Sequence, residues 1–338
     1  MASSRHRGPG ELVTAAAQGD RAAVARLISM VERGGAVARE VGRLTYPHSG
    51  NAYTVGVTGA PGAGKSTLTD GVIRLVRARG QEVGVLAIDP SSPFSGGAIL
   101  GDRVRMQDHA VDPGVFIRSM ATRGHLGGLA LATPEAVRVL DAAGLPLVLI
   151  ETVGVGQVEV EVAGAADTTV VVVNPGWGDA VQANKAGLLE VADIFVINKA
   201  DRPGAKETER DLEMMLMMTQ DLGDWTPPIF TSVATTGEGV AEVWDAVGRH
   251  RSFLEDAGLL AERRTRRLEA EVRAIVSSRL ESRAYRACRG PEFDELLGKI
   301  VERAIDPYTA AERIMGSAGD GDADHAADAD EGATDAGD

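Results

Sequence analysis

The chain has 338 residues, 44% of them hydrophobic and only 4% aromatic, so it can bury a sizeable aliphatic core. It has no apolar run of the roughly 18–20 residues that a membrane helix needs, and its first residues lack an apolar signal core, so we expect no membrane and no export.

The net charge is −14, but the eight acids after residue 316 account for −8 of it. The remaining −6 gives no electrostatic basis for binding nucleic acid. The single cysteine, Cys288, cannot form an internal disulfide, which fits a reducing cytoplasm.

The first half of the chain predicts helices followed by an α/β pattern. Residues 11–45 carry apolar residues at helical spacing, and "YPHSGNA" (46–52) breaks them. Short β-branched runs then alternate with helical segments: "YTVGVTG", "EVGVLAID", "GVFIRSM", "LPLVLIET", "TTVVVVNP", "IFVINKAD" and "PPIFTSV". Continuous apolar strands separated by helices predict a mostly parallel sheet with helices on both faces.

Two helical details are also predicted in this part of the chain. Thr133 is a suitable N-cap with Pro134 as the first helical residue. The methionine-rich stretch "EMMLMM" (213–218) is predicted to be the buried face of a helix rather than a ligand site.

After Gly258 the sequence changes to a long, charged helix with a sparse apolar stripe, followed by two shorter helices. Such a helix packs either on its own domain or on a second copy of the chain, and we expect the second. The tail has no hydrophobic residue larger than Ala and is predicted to be disordered. The predicted division is 1–50 for an N-terminal helical extension, 51–258 for the α/β domain, 259–316 for a helical dimerisation arm and 317–338 for the acidic tail.

The stretch "GAPGAGKS" fits the phosphate-binding pattern G-x-x-x-x-G-K-[ST] between a predicted strand and a predicted helix. Its glycines allow backbone N–H groups to turn towards phosphates, and the helix N-terminus adds positive potential. Lys65 is expected to reach the β- and γ-phosphates, and the Ser66 hydroxyl to bind Mg²⁺. The pattern predicts the P-loop NTPase class of α/β fold, with a phosphate cradle formed by Gly59, Ala60, Pro61, Gly62, Ala63, Gly64, Lys65, Ser66 and Thr67.

The stretch "NKAD" indicates which base is bound. Asp201 can accept two N–H bonds from the edge of guanine, whereas adenine presents the wrong donors and acceptors there. The Lys199 stem can lie along the purine ring, and Asn198 can tie loops together. We therefore predict GTP and GDP as ligands. Ser232, Val233 and Ala234 in "TSVATTGEG" lie where a backbone N–H usually meets the guanine oxygen.

Three acids end predicted strands or begin the loops after them, where ligands bind in open α/β sheets. They are Asp89, Asp102 and Glu151, and their predicted use is Mg²⁺, directly or through water. The longer side chain of Glu151 could hold a metal-bound water where an Asp would reach the metal more closely. The alternative for each is a solvated loop acid, most of all for Asp102.

In order along the chain, "GAPGAGKST", "IDPSSPFSGGAILGDRVRM", "IRSMATRGHLGGL", "IETVGVGQVEVE" and "NKAD" resemble the methylmalonyl-CoA mutase-associated GTPases. These are the MeaB/ArgK-like members of the SIMIBI class, relatives of the methylmalonic aciduria type A protein, and the resemblance runs from about Leu12 to Met315. It implies a homodimeric GTPase chaperone of an adenosylcobalamin-dependent acyl-CoA mutase, which gates cofactor loading and protects or restores the mutase. It also implies that Lys65, Asp89, Asp102 and Glu151 serve catalysis, and that Ser66 and the three acids serve the metal.

Two stretches depart from the family pattern. "NPGWGDAVQANK" matches the segment through which the family senses its mutase, but Trp177 and "AVQAN" differ from the usual "PGAGDELQ", and Lys185 ends it. The identity of the mutase is therefore left open. "TSVATTGEG" departs from the commoner "TSA" form.

The residue after Gly154 is Val155, where small G proteins place a Gln that orients the attacking water. We therefore hypothesise slow intrinsic hydrolysis that accelerates when a partner repositions the switch loops. Nothing in the sequence places Gln157 near the γ-phosphate. Arg123 either supplies positive charge to the transition state or forms a surface salt bridge.

Three alternative functions remain to be weighed. A nickel-delivery GTPase needs metal-binding Cys and His residues, and this chain has one Cys and six scattered His. An ATP-dependent kinase of an amino-acid transport system conflicts with the guanine motif. A structural binder that holds GTP without turnover conflicts with the three acids.

Overall fold

The computed structural model of the chain describes residues 7–90, 107–109, 111–122, 128–152, 164–176, 191–219 and 224–320. Contacts divide the chain into two compact units, Met1–Glu271 and Val272–Asp338. Within the described ranges, no helix combines the length and the hydropathy needed to cross a bilayer.

The first unit is built on one seven-stranded sheet in which all paired neighbours run parallel. Its strands are β1 Tyr53–Gly59, β2 Val83–Pro90, β3 Val115–Thr122, β4 Leu147–Thr152, β5 Thr168–Val173, β6 Ile194–Asn198 and β7 Ile229–Ser232. Their order across the sheet is β3-β2-β4-β1-β5-β6-β7. The predicted α/β class and all seven predicted strands are confirmed. The continuous apolar runs exist because most of these strands are buried on both faces.

Among the residues that the structure describes, the α-helices of this unit are α1 Pro9–Ala17, α2 Arg21–Arg33, α3 Gly35–Thr45, α4 Lys65–Ala78, α5 Gly128–Ala142, α6 Ala205–Met218 and α7 Val240–Asp256. Alternate strand residues face opposite helical layers. Leu149 packs with α4 and α7, whereas its neighbours Val148 and Ile150 pack with the N-terminal helices and α5. Full burial of each such side chain stabilises the fold by about 1.5–3 kcal/mol. The N-terminal extension is therefore part of the hydrophobic core.

The predicted start of α5 is wrong. The helix begins at Gly128, so Pro134 lies inside it and Thr133 is not its N-cap. Thr133 is instead buried, and its Oγ1 has no hydrogen-bond partner among the described residues. Burial of Val139 and Leu140 on the sheet-facing side of this helix outweighs the local preference of Pro for a first turn.

The predicted burial of the methionine-rich stretch is confirmed for Leu216 and in part for Met215, but is wrong for the other methionines. Helix α6 buries Leu212 and Leu216 against the sheet. Met214, Met217 and Met218 are exposed, Met217 by 84%. Because the stripe at every fourth residue already occupies the sheet-facing side, these methionines are left on the outer side of the helix.

Helix α8, Leu259–Ala287, begins in the first unit and continues into the second. The first turns of α8 contact the amino ends of β5 and β6. Asp167 immediately precedes β5, and Asp193 immediately precedes β6. Asp193 accepts two bonds from the Arg263 guanidinium (2.7 and 3.0 Å), and Asp167 pairs with Arg264 (2.8 Å) and with Arg267. Burial opposes the ionisation of Asp167, but the arginines hold its pKa below the usual value.

The second unit also contains α9, Pro291–Val301, and α10, Pro307–Asp320. Leu296 and Ala310 are its only buried hydrophobic residues in the described range. Its exposed large hydrophobic residues are Val272, Val276, Leu280, Tyr285, Leu297, Val301, Tyr308 and Met315. The predicted arm begins with the first residue of α8, and the predicted tail begins inside α10. Residues 321–338 lie outside the described residues, so the disorder predicted for the tail stays a prediction.

Candidate functional site

The phosphate motif forms the turn between β1 and α4, and its backbone requires glycine. Gly59, Gly62 and Gly64 have φ values of +126°, +70° and +92°. A Cβ on Gly59 would lie 2.0 Å from the carbonyl oxygen of Val172, and one on Gly64 would lie 2.3 Å from Asn198 Nδ2. These positions allow the loop to approach β5 and β6 closely, which a larger residue would prevent.

Lys65 and Ser66 open α4 at the end of this loop, and both side chains are buried. Lys65 Nζ donates to the carbonyl oxygens of Gly59 (2.7 Å) and Ala60 (3.0 Å). The lysine charge is therefore held inside the loop, where the helix N-terminus also directs positive potential. This concentration of positive charge suits a bound phosphate chain.

Glu151 lies on β4, which pairs with β1 so that Glu151 is opposite Val57. Its carboxylate is 1% exposed, and its Oε1 accepts a hydrogen bond from Ser66 Oγ at 2.5 Å. The longer acid therefore reaches the hydroxyl of the phosphate loop directly. A hydroxyl and a carboxylate oxygen held together are the oxygen donors that Mg²⁺ prefers.

Few protein ligands are expected for Mg²⁺, which usually keeps several waters and binds substrate phosphates. The Ser66–Glu151 pair fits such a site. Within the described ranges, no group of three or more His, Cys, Asp and Glu side chains could hold a metal ion. Asp89 is the penultimate residue of β2, opposite Ala121, but its side chain lies outside the described part, as does Asp102 entirely.

Asn198 connects the two loops that would surround a nucleotide. Its side chain, 2% exposed, donates from Nδ2 to the carbonyl oxygen of Ala63 at 2.7 Å. Its Oδ1 accepts from Ser232 Oγ (3.2 Å) and from the backbone N–H of Ala234 (3.1 Å). These contacts are of the kind expected from the sequence, in which Asn198 connects two loops.

Lys199 and Asp201 follow Asn198 at the carboxyl end of β6. Lys199 has a φ of +60°, which is uncommon outside glycine, and its Nζ donates to the Gly62 carbonyl oxygen at 2.6 Å. The Ala200 N–H donates to the Ser232 carbonyl oxygen at 3.0 Å, which fixes this turn against the end of β7. Asp201 is exposed, so its carboxylate is accessible to a ligand.

The structure thus brings most of the predicted site residues to one edge of the sheet. The phosphate loop, Glu151, Asn198–Asp201 and residues 232–234 all lie at the carboxyl ends of neighbouring strands. Arg123, Val155, Gln157, Trp177 and Lys185 lie outside the described residues.

Sequence reasoning missed two buried threonines at this edge, Thr58 and Thr152. Thr152 Oγ1 donates to Thr58 Oγ1 at 3.1 Å, and both residues are fully buried. The available signal was a threonine near the carboxyl end of each strand, next to Gly59 in β1 and next to Glu151 in β4.

Parallel strands, a glycine-rich phosphate loop and a base-side loop held by an Asn-Lys-x-Asp motif define a P-loop nucleotide-binding protein. Comparisons with known proteins give the family. A model described as "Methylmalonyl Co-A mutase-associated GTPase MeaB" matches residues 24–289. The chain belongs to this family and is a GTPase.

Individual relatives agree with this assignment. A putative GTPase of Pyrococcus abyssi is 53% identical over 309 residues, covering 90% of this chain and 95% of the relative. The mitochondrial methylmalonic aciduria type A homolog of Mus musculus is 30% identical over 93% of this chain and 80% of its own length. Among solved structures, a LAO/AO transport system kinase matches with a TM-score of 0.68 and 26% identity, covering 91% of this chain and 97% of that one.

Proposed function

We propose that this GTPase is Mg²⁺-dependent and acts as a chaperone of an adenosylcobalamin-dependent acyl-CoA mutase, with methylmalonyl-CoA mutase as the first candidate. The observation that carries the nucleotide part is the bonding of Asn198 to both Ala63 and the 232–234 loop, because it joins the phosphate loop to the base loop. The family description and the name of the mouse relative support the mutase part.

In the proposed reaction the backbone N–H groups of residues 59–67, except Pro61, hold the β- and γ-phosphates. Lys65 Nζ exchanges its bonds with the Gly59 and Ala60 carbonyls for phosphate oxygens. Bound Mg²⁺ would neutralise negative charge on the phosphates. Ser66, Asp89, Asp102 and Glu151 are the proposed residues that hold it, directly or through water.

The proposed base site lies at the carboxyl ends of β6 and β7. Asp201 accepts the two N–H groups on the guanine edge. The Lys199 stem covers the ring while its Nζ stays on the Gly62 carbonyl. The backbone of Ser232, Val233 and Ala234 faces the guanine oxygen. Adenine cannot satisfy Asp201, so the proposed preference is for GTP.

The proposed hydrolysis is slow without a partner. Val155 carries no group that can orient a water molecule, and Arg123 and Gln157 lie outside the described residues. Contact with the mutase would reposition the loops after β4 and β5, and this would supply the group that orients the attacking water. Such a rate suits a gate that controls cofactor loading.

A homodimer and a cytoplasmic location complete the proposal. The second unit exposes a stripe of Val272, Val276 and Leu280 along α8 while burying only Leu296 and Ala310 within its described residues. Such a surface is typical of a helix that packs against another chain. Light scattering should give twice the chain mass of 35.3 kDa, and Leu280→Asp should shift the protein towards the monomer. The exposed Cys288 forms no internal disulfide, which is compatible with a reducing compartment.

The base assignment is tested by changing Asp201. Asn in place of this Asp would present an N–H to the edge of the base, which suits xanthine, where an oxygen replaces the guanine amino group. We expect Asp201→Asn to weaken GDP binding and strengthen XDP binding in fluorescence titrations, while Asp211→Asn, an exposed acid on α6, changes neither. Unchanged GDP affinity in Asp201→Asn would refute the proposed base site.

A second candidate, an ATP-dependent kinase of an amino-acid transport system, is suggested by the name of the structural neighbour. The Asn-Lys-x-Asp motif favours guanine instead, because Asp201 can accept the two N–H groups on the guanine edge and adenine presents the wrong donors and acceptors there. The same titrations with ADP separate the two, because the kinase requires adenine to bind more tightly than guanine.

A further inference from the structure

We propose that the buried hydroxyl pair Thr152–Thr58 positions Glu151 against Ser66, which makes Thr152 a positioning residue for the Mg²⁺-dependent reaction. This inference rests on the proposed function. The two hydroxyl oxygens are 3.1 Å apart, and both threonines are 0% exposed.

Each threonine is next to a functional residue along the chain. Thr58 immediately precedes Gly59, whose carbonyl oxygen accepts from Lys65 Nζ at 2.7 Å. Thr152 immediately follows Glu151, whose carboxylate accepts from Ser66 Oγ at 2.5 Å. A change in the spacing of the two threonines therefore changes the spacing of the carboxylate and the phosphate loop.

Backbone pairing between β1 and β4 holds Glu151 opposite Val57 but does not extend to the two threonines. Within these described residues, the register between β1 and β4 ends at Val57 and Glu151. Beyond that point β1 continues along β5 as far as Gly59, and Thr152 of β4 pairs with Ile88 of β2. The Thr152–Thr58 bond links the two strands one residue past the end of their ladder.

Burial gives this bond its importance. Both threonines are fully buried, so their hydroxyls are removed from water, and the Thr152 hydroxyl donates to the Thr58 hydroxyl. Burial of a hydroxyl group is unfavourable in free energy unless the group is hydrogen-bonded. Valine would fill the same volume without that cost, which suggests that the hydroxyl pair serves the spacing of the strands rather than packing.

The test uses four variants: Thr152→Val, Thr58→Val, the double variant and Thr152→Ser. Thr54→Val is the matched control, since Thr54 lies four residues earlier on β1, is also buried (5% exposed) and accepts a hydrogen bond from the Asp167 N–H at 2.8 Å. For each protein, GTP turnover is measured as a function of Mg²⁺, the GDP dissociation constant is measured without Mg²⁺, and Tm is recorded.

We expect Thr152→Val to raise the half-saturating Mg²⁺ concentration and lower kcat by roughly three- to tenfold, the range of one hydrogen bond. The metal-free GDP affinity should stay within about twofold. Thr152→Ser keeps the hydroxyl and should recover most of the loss. In the double variant Tm should partly recover, because the Thr58–Thr152 bond loses both partners together, but the Mg²⁺ defect should persist.

Recovery of Mg²⁺ dependence together with Tm in the double variant would overturn the inference, because it would show a purely structural role. Equal Mg²⁺ responses in Thr152→Val and Thr54→Val would overturn it as well. If Thr152→Val does not fold, Thr58→Val gives the same comparison. A wild-type protein without GTP turnover would refute the proposed function instead, and Mg²⁺-dependent GDP binding would then decide the inference.

Discussion

Replacement of Asn198 by Ala tests how the two nucleotide loops are held. The change removes three hydrogen bonds of 2.7–3.2 Å, to Ala63, Ser232 and Ala234, from a side chain that is 2% exposed. Each such bond contributes about 0.5–1.5 kcal/mol, so the free energy of unfolding should fall by roughly 2–4 kcal/mol. If half of that loss also appears in nucleotide binding, GDP affinity should fall about 5- to 30-fold.

Urea unfolding measures the first quantity and fluorescence titration with GDP the second. Ser232→Ala removes one of the three bonds and should produce about a third of the loss in stability, which gives a graded comparison. An Asn198→Ala protein with unchanged stability and GDP affinity within twofold of wild type would refute the reasoning, because the loops would then be held by other contacts.

Three further outcomes are expected. Gly59→Ala should abolish nucleotide binding in titrations, because its Cβ would lie 2.0 Å from the Val172 carbonyl oxygen at a φ of +126°; measurable affinity would contradict the loop geometry. Burial raises the pKa of Glu135 to about 7 from 4.5, so its ionisation destabilises the fold as pH rises through this interval. Glu135→Gln should therefore raise Tm at pH 8 but not at pH 4, and equal shifts at both would be inconsistent with this. Asp167→Ala leaves the arginines at the start of α8 without their buried acid. The free energy of unfolding in urea should fall by about 3–5 kcal/mol. A loss below about 1 kcal/mol would mean that solvent replaces the ion pairs.

The sheet and the phosphate loop could be predicted because their signals are local. Runs such as "LPLVLIET" must be strands buried on both faces, and the glycine spacing at residues 59–64 has few other uses. Asn198 could be identified for the same reason, since its motif follows a strand. Only the structure shows that its bonds reach Ala63 and Ala234.

The remaining features depend on contacts between distant residues. Asp167 and Arg264 are ordinary charged residues in the sequence, and only the fold places them 2.8 Å apart. The start of α5 was mispredicted because Pro134 alone suggests a first helical turn. The packing of the helix against the sheet, which the sequence does not show, extends the helix back to Gly128. Met217 was mispredicted because the methionine-rich composition did not show which side of α6 the leucines occupy.

GTP turnover by the purified protein, alone and with methylmalonyl-CoA mutase, tests the central claim most directly, with Mg²⁺ present and ATP as the control nucleotide. The account predicts turnover of GTP but not of ATP, slow in the isolated protein and faster when the mutase is added. Preferential turnover of ATP would contradict the guanine site formed around Asn198 and Asp201. GTP turnover that the mutase leaves unchanged would contradict the chaperone role towards that enzyme.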